Sequence, residues 1–513
     1  MNHNSCFFVK LIEYSMKILN AAQIQELDQY TIDTEHITSL MLMERAAEAF
    51  VQWFTNHTLT NKEVWVFCGK GDNGGDGLAI CRLLIQQGYT VKPFIIQTGN
   101  LSDDCLANLN RLTEIQKVSI IQKSEDIPKL RQNINIIDAL LGSGLNREVE
   151  GLYAAVIDRI NASGNDVYAV DIPSGMFCDY PAKHTSIINA DHTITFSLPK
   201  LMLFLADYEM FTGEWHIVDI GQDMEGAAEF HTDFSYTDAR VIRQLIRKRP
   251  VFSHKGTFGK VLLLAGSKGM MGAASLAAKA VMRSGAGLVC VHIPESGIDI
   301  LQTTIPEAIL SIDHNKDYIS QLPDIIGYSS IGIGTGIGEH TYTADVLEEL
   351  LLLAKQPLVI DASALNILAN NPLWMQTIPA NSILTPHPRE LERLAGMKFT
   401  NSWERLHKTI ELAKRMQVII VLKGAYTAVV FPNGTVHFNS TGNSGLATAG
   451  SGDVLTGIIT SLLAQGYIPE EAALIGVFAH GYAGDKAAAI RSKAAMIASD
   501  IVEHLQEFFL DFE

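Results

Sequence analysis

The chain has 513 residues, 39 Lys+Arg against 56 Asp+Glu and a formal net charge of −17, with 47% hydrophobic residues. That length holds two or more domains, each able to bury its own core, and the acidic balance excludes a nucleic-acid scaffold, which needs a basic footprint. Forty glycines without a triplet period, and only 19% charged residues, exclude a collagen-like or disordered chain and fit a compact α/β enzyme, to which a nucleotide can still bind through local backbone geometry.

The first residues carry a short apolar run, Cys6-Phe-Phe-Val9, broken by Lys10 and Glu13. It is too short and too charged for a secretory signal or a membrane span. It reads either as a poorly ordered extension or as sequence upstream of a true start at Met16. The six cysteines, at 6, 68, 81, 105, 178 and 290, form no C-x-x-C pair, so a reduced, cytoplasmic chain is expected. Residues 21–31 and 40–54 show helical spacing, 64–68 a buried strand, and about 78–87 a helix. Further strands are expected at 91–96, 134–138, 167–171 and 192–196. This alternation predicts βαβ units, a doubly wound parallel sheet with helices on both faces.

Residues 223–238 lose the rhythm and are the expected linker. A second α/β rhythm follows: strand 261–265, helix 273–284, and strands 288–293, 331–334, 358–361 and 418–422. Pro432-Asn433-Gly434 marks a hairpin between 429–431 and 436–439. Long helices close the chain, and no short-period repeat is present.

In the first half the densest signal is Gly69-Lys-Gly-Asp-Asn-Gly-Gly-Asp-Gly77, between a strand and a helix. Glycines there let backbone N–H groups approach an anion, and the helix N-terminus adds a favourable dipole. The spacing is neither a Walker A loop nor a clean G-x-G-x-x-G. A bare strand-to-helix turn would need only a glycine or two. Asp138 and Asp171 end strands and precede Leu141-Gly-Ser-Gly-Leu-Asn-Arg147 and Ile172-Pro-Ser-Gly175. Loops at strand carboxyl ends converge in a doubly wound sheet. Asn73, Asp138 and Ser174 offer only oxygen ligands, suited to a hard cation and not to zinc. Each carboxylate alone is more often a strand-end cap, but the three loops together favour a site.

In the second half the run Asn443-Ser-Gly-Leu-Ala-Thr-Ala-Gly-Ser-Gly-Asp-Val-Leu-Thr-Gly457 leads into a helix expected to begin near Asp453. That is an anion hole of backbone N–H groups with a carboxylate placed as general base. An N-cap would explain Asp453 but not the whole polar run. Four loops accompany it: His254–Gly259, Gly266–Ala273, Gly332–Gly338 and Thr385–Glu390, with Lys423-Gly-Ala-Tyr-Thr427 leaving another strand. Each is weak alone, and their joint occurrence at strand ends carries the weight.

The first set of motifs, with the opening Met16-Lys-Ile-Leu-Asn-Ala-Ala-Gln-Ile-Gln-Glu-Leu-Asp28, resembles the NAD(P)H-hydrate epimerase family, the YjeF N-terminal domain, over residues 16–222. The resemblance implies a Rossmann-like fold with a pocket for hydrated nicotinamide nucleotide. Asp72, Asn73, Gly74, Gly75 and Asp76 would line it, with Gly142, Ser143, Gly144, Leu145, Asn146, Arg147 and Glu148. It further implies potassium on Asn73, Asp138 and Ser174, and Asp171 against the substrate as acid/base. Asp72 is a departure, since the family usually has Asn there.

The second set resembles the ribokinase-like fold and, within it, the ADP/ATP-dependent NAD(P)H-hydrate dehydratases, the YjeF C-terminal domain, over residues 239–508. It implies that Lys423, Gly424, Ala425, Tyr426, Thr427 and Gly452 bind the adenine nucleotide. Ala273, Gly336 or Gly338, His387 and Asp453 would face the hydrate, with Asp453 the catalytic base and magnesium on the phosphates. In that family's chemistry the hydrate's hydroxyl is phosphorylated from ADP or ATP, and phosphate then leaves. Arg389 replaces a family glycine, and Ser363 replaces an aspartate. Together the resemblances imply a bifunctional isomerase and lyase acting on NADHX and NADPHX, assembled as a homo-oligomer and free of nucleic acid and membrane. The alternative is a ribokinase-like small-alcohol kinase with an N-terminal nucleotide-binding or partner-docking module.

Overall fold

The computed structural model describes residues 15–59, 61–181 and 186–513, and the apolar run at residues 6–9 lies outside them. The chain forms two compact units, Lys17–Thr232 and Asp233–Glu513, the latter taking in Met16. No helix among the described residues is long and apolar enough to cross a membrane. Cys68, Cys81, Cys105, Cys178 and Cys290 are free and buried.

Strand β1 (Met16–Lys17) is an edge of the larger sheet. The first unit contains β2 (Glu63–Cys68), β3 (Val91–Ile96), β4 (Ser119–Ile121), β5 (Ile134–Ala139), β6 (Asp166–Val170), β7 (His192–Phe196) and β8 (Glu214–Val218). They form a parallel sheet in the order β4-β3-β2-β5-β6-β7-β8. Central β2 and β5 are buried on both faces and mostly apolar, as covered parallel strands tend to be. Val64, Val66 and Cys68 enter one core with Phe50, Phe54, Leu78 and Leu84 from the helices Ser39–His57 and Asp72–Gln86. The alternate residues Trp65 and Phe67 enter the other, with Val156 and Ile160 from the helix Gly151–Asn161. Two strands escape the sequence reading: β4 has three residues, and β8 (EWHIV) is a half-exposed edge without an apolar run.

The second unit holds an eleven-stranded sheet in the order β1-β9-β18-β17-β16-β15-β14-β13-β10-β11-β12. Its strands are β9 (Phe234–Thr237), β10 (Lys260–Leu264), β11 (Leu288–Ile293), β12 (Ile309–Ile312), β13 (Ser330–Ile333), β14 (Leu358–Ile360), β15 (Ile383–Leu384), β16 (Ile419–Leu422), β17 (Ala428–Val430) and β18 (Val436–Asn439). From β12 to β16 the pairs are parallel, and β16-β17-β18 is the antiparallel meander marked by Pro432-Asn433-Gly434. Residues 223–238, read as a linker, hold the helix Met224–Glu229, N-capped by Asp223, and strand β9, parallel to β18. The helix Ser451–Ala464 is buried nearly all round and packs against Ile475, Phe478 and Phe508. Gly457 brings it close to the helix Met271–Arg283, since a Cβ there would stand 2.3 Å from the Ala277 carbonyl oxygen.

Candidate active sites

The glycine run is not an open loop ahead of the helix. The helix begins at Asp72, six residues before the expected Leu78, with Gly71 as a cap that offers no side-chain acceptor. Gly74, Gly75 and Gly77 therefore sit inside its first turns, where they permit close packing rather than a turn. A Cβ on Gly74 would lie 1.9 Å from the Gly69 carbonyl oxygen, and one on Gly69 would lie 1.8 Å from that of Leu140. This backbone stacking docks the helix N-terminus on the end of β5. Gly69→Ala cannot be absorbed by a rotamer, so it is expected to cost about 2–4 kcal/mol of stability, read as a lower denaturant midpoint.

Asp138, in β5, is fully buried. Ser174 donates to it from its amide (2.8 Å) and its hydroxyl (2.6 Å), and Leu140 from its amide (3.2 Å). Burial pushes Asp138 up to about 6, partly opposed by those hydrogen bonds. Asn73 is buried against the Gly142 loop, and its Nδ2 has no partner among the described residues. Asn73 packs on Gly142, and Ser174 Oγ joins Asp138 to the amide of the neighbouring Leu141, so three oxygen-bearing side chains meet at one loop, a donor set of the kind potassium takes and zinc does not. Gly142 to Glu148 form a loop mostly open to solvent beside them, with Leu145 turning back on Gly142 through a 3.2 Å hydrogen bond. Asp72 is exposed at the helix N-terminus, where the dipole favours a carboxylate.

Asp171 follows β6 instead of ending it and takes a left-handed φ of +65°, a strained conformation for a non-glycine residue. Lys200 explains how it is held. This lysine is almost wholly buried, and its Nζ donates to Asp171 Oδ1 and, at 2.9 Å, to Thr195 Oγ1. The Phe196 amide donates to the same Oδ1 (3.2 Å), so Oδ2 receives no hydrogen bond among the described residues. Desolvation, then the charges of Asp171, Asp72 and Asp28, push Asp76 well up. Burial raises Asp28 to about 6, with Asp171 adding to the rise. Four carboxylates therefore share one neighbourhood with a single buried lysine. The sequence reading missed Lys200 and Asp28. The visible signal for Lys200 was a lone cation in the apolar stretch Leu198-Pro-Lys-Leu-Met-Leu-Phe204.

In the second unit the helix expected near Asp453 begins at Ser451, and its cap is Gly450 at φ +88°. Asp453 is thus in the first turn and not the N-cap. No described residue donates a hydrogen bond to its carboxylate, and burial, then the charge of Asp361, pushes it up to about 7. Asp361 is buried and accepts from Lys423 Nζ (2.8 Å) on one oxygen and Thr456 Oγ1 (2.8 Å) on the other. A Cβ on Gly452 would lie 3.1 Å from Lys423 Nζ, which places Gly452 against the same pair. The His387 ring accepts from the Arg389 amide (3.1 Å) in a capping box with Glu390, and burial lowers its pKa, with Lys423 and Asp361 near enough to act on it. Asp361, His387, Lys423, Gly452 and Asp453 are thereby gathered.

Ala273, Gly336 and Gly338 meet around Met270. A Cβ on Gly336 would stand 2.9 Å from that of Ala273, and Ser267 Oγ donates to the Gly336 carbonyl (2.8 Å). Gly424, Ala425, Tyr426 and Thr427 form the turn between β16 and β17, closed by Thr427 Oγ1 on the Gly424 carbonyl (3.1 Å). Arg389 is exposed, and Ser363 is half-buried in the first turn of the helix Ala362–Asn370.

Two further residues hold the polar run and were missed: His480 and Asp485 of the helix Pro469–Arg491. Asp485 accepts from the Gly442 amide (2.9 Å) and Asn443 Nδ2 (2.8 Å). His480 is held neutral by burial, near 4, and its Nε2 must carry the proton, because the Ser451 carbonyl at 3.0 Å can only accept.

Residues 39–202 match the family described as YjeF-related protein N-terminus, and residues 261–507 match NAD(P)H-hydrate dehydratase. Three relatives are similar along nearly the whole chain, each named a bifunctional NAD(P)H-hydrate repair enzyme. That of Moorella thermoacetica is 36% identical, covering 96% of this chain and 96% of its own. That of Coxiella burnetii is 33% identical (94% and 97%), and that of Escherichia coli 33% (95% and 92%). A solved ADP/ATP-dependent NAD(P)H-hydrate dehydratase from Bacillus subtilis is 32% identical with a TM-score of 0.48, covering 54% of this chain and 98% of that one.

Proposed function

The chain belongs to the family of bifunctional NAD(P)H-hydrate repair enzymes, and from that premise we propose that its first unit interconverts the R and S hydrates of NADH and NADPH while its second dehydrates the S form at the expense of ADP or ATP. The observation that supports this most directly is chemical. Each unit holds one aspartate with an oxygen free for proton transfer beside a lysine already fixed on a carboxylate.

In the first unit Asp171 moves the proton through Oδ2, while Lys200 fixes Oδ1 and keeps the carboxylate in one orientation. The helix N-terminus at Asp72 to Gly74 and the loop from Gly142 to Glu148 receive the dinucleotide. Asn73, Asp138 and Ser174 would hold potassium, which when bound offsets the charge of Asp138. Because Asp138 is raised to about 6 in the folded chain, its ionisation destabilises the fold as pH rises from about 4 through 6. Potassium favours the ionised form, so it is expected to raise the melting temperature more at pH 7.5 than at pH 4.5. Asp138→Asn should remove that difference, and a thermal shift with potassium against choline reads it.

In the second unit Asp453 takes the proton of the substrate hydroxyl as its oxygen bonds to the terminal phosphorus of the nucleotide, releasing AMP or ADP. Phosphate then leaves with the C–O bond electrons, and loss of the adjacent ring proton restores the nicotinamide double bond. The N–H groups of Gly452 and Asp453, in the first turn of that helix, would stabilise the transferring phosphoryl group. Both oxygens of Asp361 are engaged by Lys423 and Thr456, and magnesium would arrive on the phosphates of the nucleotide.

The test gives the purified chain mixed R and S NADHX with ADP or ATP and magnesium, and follows the near-ultraviolet absorbance of reduced nicotinamide. Full recovery faster than spontaneous epimerisation supports both activities. Recovery of the S fraction alone at the enzymatic rate would make the first unit a binding module. No recovery with either nucleotide would overturn the proposal in favour of a small-alcohol kinase.

A further inference from the structure

At the opposite end of the seven-stranded sheet from Asp138 and Asp171, the edge pair β7–β8 begins with an unusual set of side chains. His192 and Glu214 open the two strands and are Cα partners, and His216 stands two residues along β8. One ligand atom from each of His192, Glu214 and His216 lies within 4.8 Å of the other two, and His216 Nε2 is 4.0 Å from Glu214 Oε1. Two ring nitrogens, His192 Nδ1 and His216 Nε2, are buried without a hydrogen-bond partner among the described residues. Neither catalytic site uses these residues.

A buried, unpartnered imidazole nitrogen is costly and calls for water, a proton partner or a metal. The rings cannot easily turn away. His216 lies 4.6 Å from the Trp53 ring, and His192 is stacked on Tyr168 at 5.4 Å. Glu214 is the exposed member, with 72% of its side chain in solvent, so packing does not oppose its rotation toward the two rings. Two converging imidazoles and a carboxylate are the ligand set of a three-residue zinc site.

We propose that His192, Glu214 and His216 bind a divalent transition-metal ion of the zinc class, with water as the fourth ligand, and that the ion staples edge strand β8 to β7. Zinc–ligand bonds of about 2.0–2.2 Å draw the three atoms to roughly 3.3 Å apart, a contraction that rotation of Glu214 and small ring movements supply. The ion bridges only neighbouring strands, so it stabilises the sheet edge without touching either reaction.

The experiment strips the full chain with a chelator and titrates it with zinc alone. One zinc per chain is expected, with a raised melting temperature for the wild type. His192→Gln and His216→Gln should each weaken that binding on the order of a hundredfold while leaving epimerisation and dehydration rates unchanged. Cobalt substituted into the wild type should give the visible absorption of a low-coordinate site, a readout that does not depend on the variants folding. A wild type that holds no zinc, cobalt absorption of the hexa-aquo type, or variants that retain zinc like the wild type would each overturn the proposal.

Discussion

Asp453→Asn is expected to lower dehydration with either nucleotide by about 10²–10⁴-fold and to leave epimerisation at the wild-type rate. The substituted amide keeps the shape of the first helical turn but cannot accept the hydroxyl proton. The pH behaviour of the wild type separates a base from a merely structural carboxylate. Burial, reinforced by the charge of Asp361, raises Asp453 to about 7. A base works only when ionised, so kcat/KM for the S hydrate should fall as pH drops through about 7 and level off above it. Stability should move the other way. A carboxylate held above its unfolded value stabilises the fold below about pH 4, and that contribution is lost as pH rises through 7. The Asn variant escapes this loss, so it should be more stable than wild type at pH 8, by at most about 4 kcal/mol. A variant both less active and less stable at pH 8 would show that Asp453 acts by holding structure.

Lys200→Met is expected to abolish epimerisation and to destabilise the chain by about 3–5 kcal/mol, because it strands the Asp171 carboxylate in a buried place. The double variant Asp171→Asn with Lys200→Met removes the stranded charge. It should regain most of the lost stability and none of the activity, which distinguishes the chemical role of the pair from its structural cost. Chemical denaturation and an R-to-S conversion assay read the two effects separately. Dehydration of pure S hydrate by the single variant, at temperatures where it is folded, should match wild type. Asp171 also sits at φ +65°, so the short network of Lys200, Thr195 and the Phe196 amide has strain to hold in place.

The contrast between what was legible and what was not follows the range of the interactions. Periodicity gave the central strands, because β2, β5 and β16 are covered on both faces and are mostly apolar. It failed at β4, β8, β12 and β15, which are short or lie at an edge, where half-exposed residues carry no distinctive pattern. The stretch 223–238 looked like a linker because strand β9 has only four residues, and its pairing partner β18 is some two hundred residues away. Local composition does not encode such a partner.

The motifs behaved likewise. Gly69 to Gly77 and Asn443 to Gly457 were readable as sites because a backbone that must approach another backbone or a phosphate tolerates only glycine and other small residues, a requirement written at consecutive positions. The sequence by itself therefore determined the family, the two α/β units and the aspartates at or just beyond strand ends. Only the tertiary structure decided which groups complete them. Lys200 on Asp171, Asp361 between Lys423 and Thr456, Asp485 under the Asn443 loop and the histidines at the β7–β8 edge come from segments that folding alone brings together. Their energies depend on burial and on a partner's distance, neither of which a spacing in the chain records.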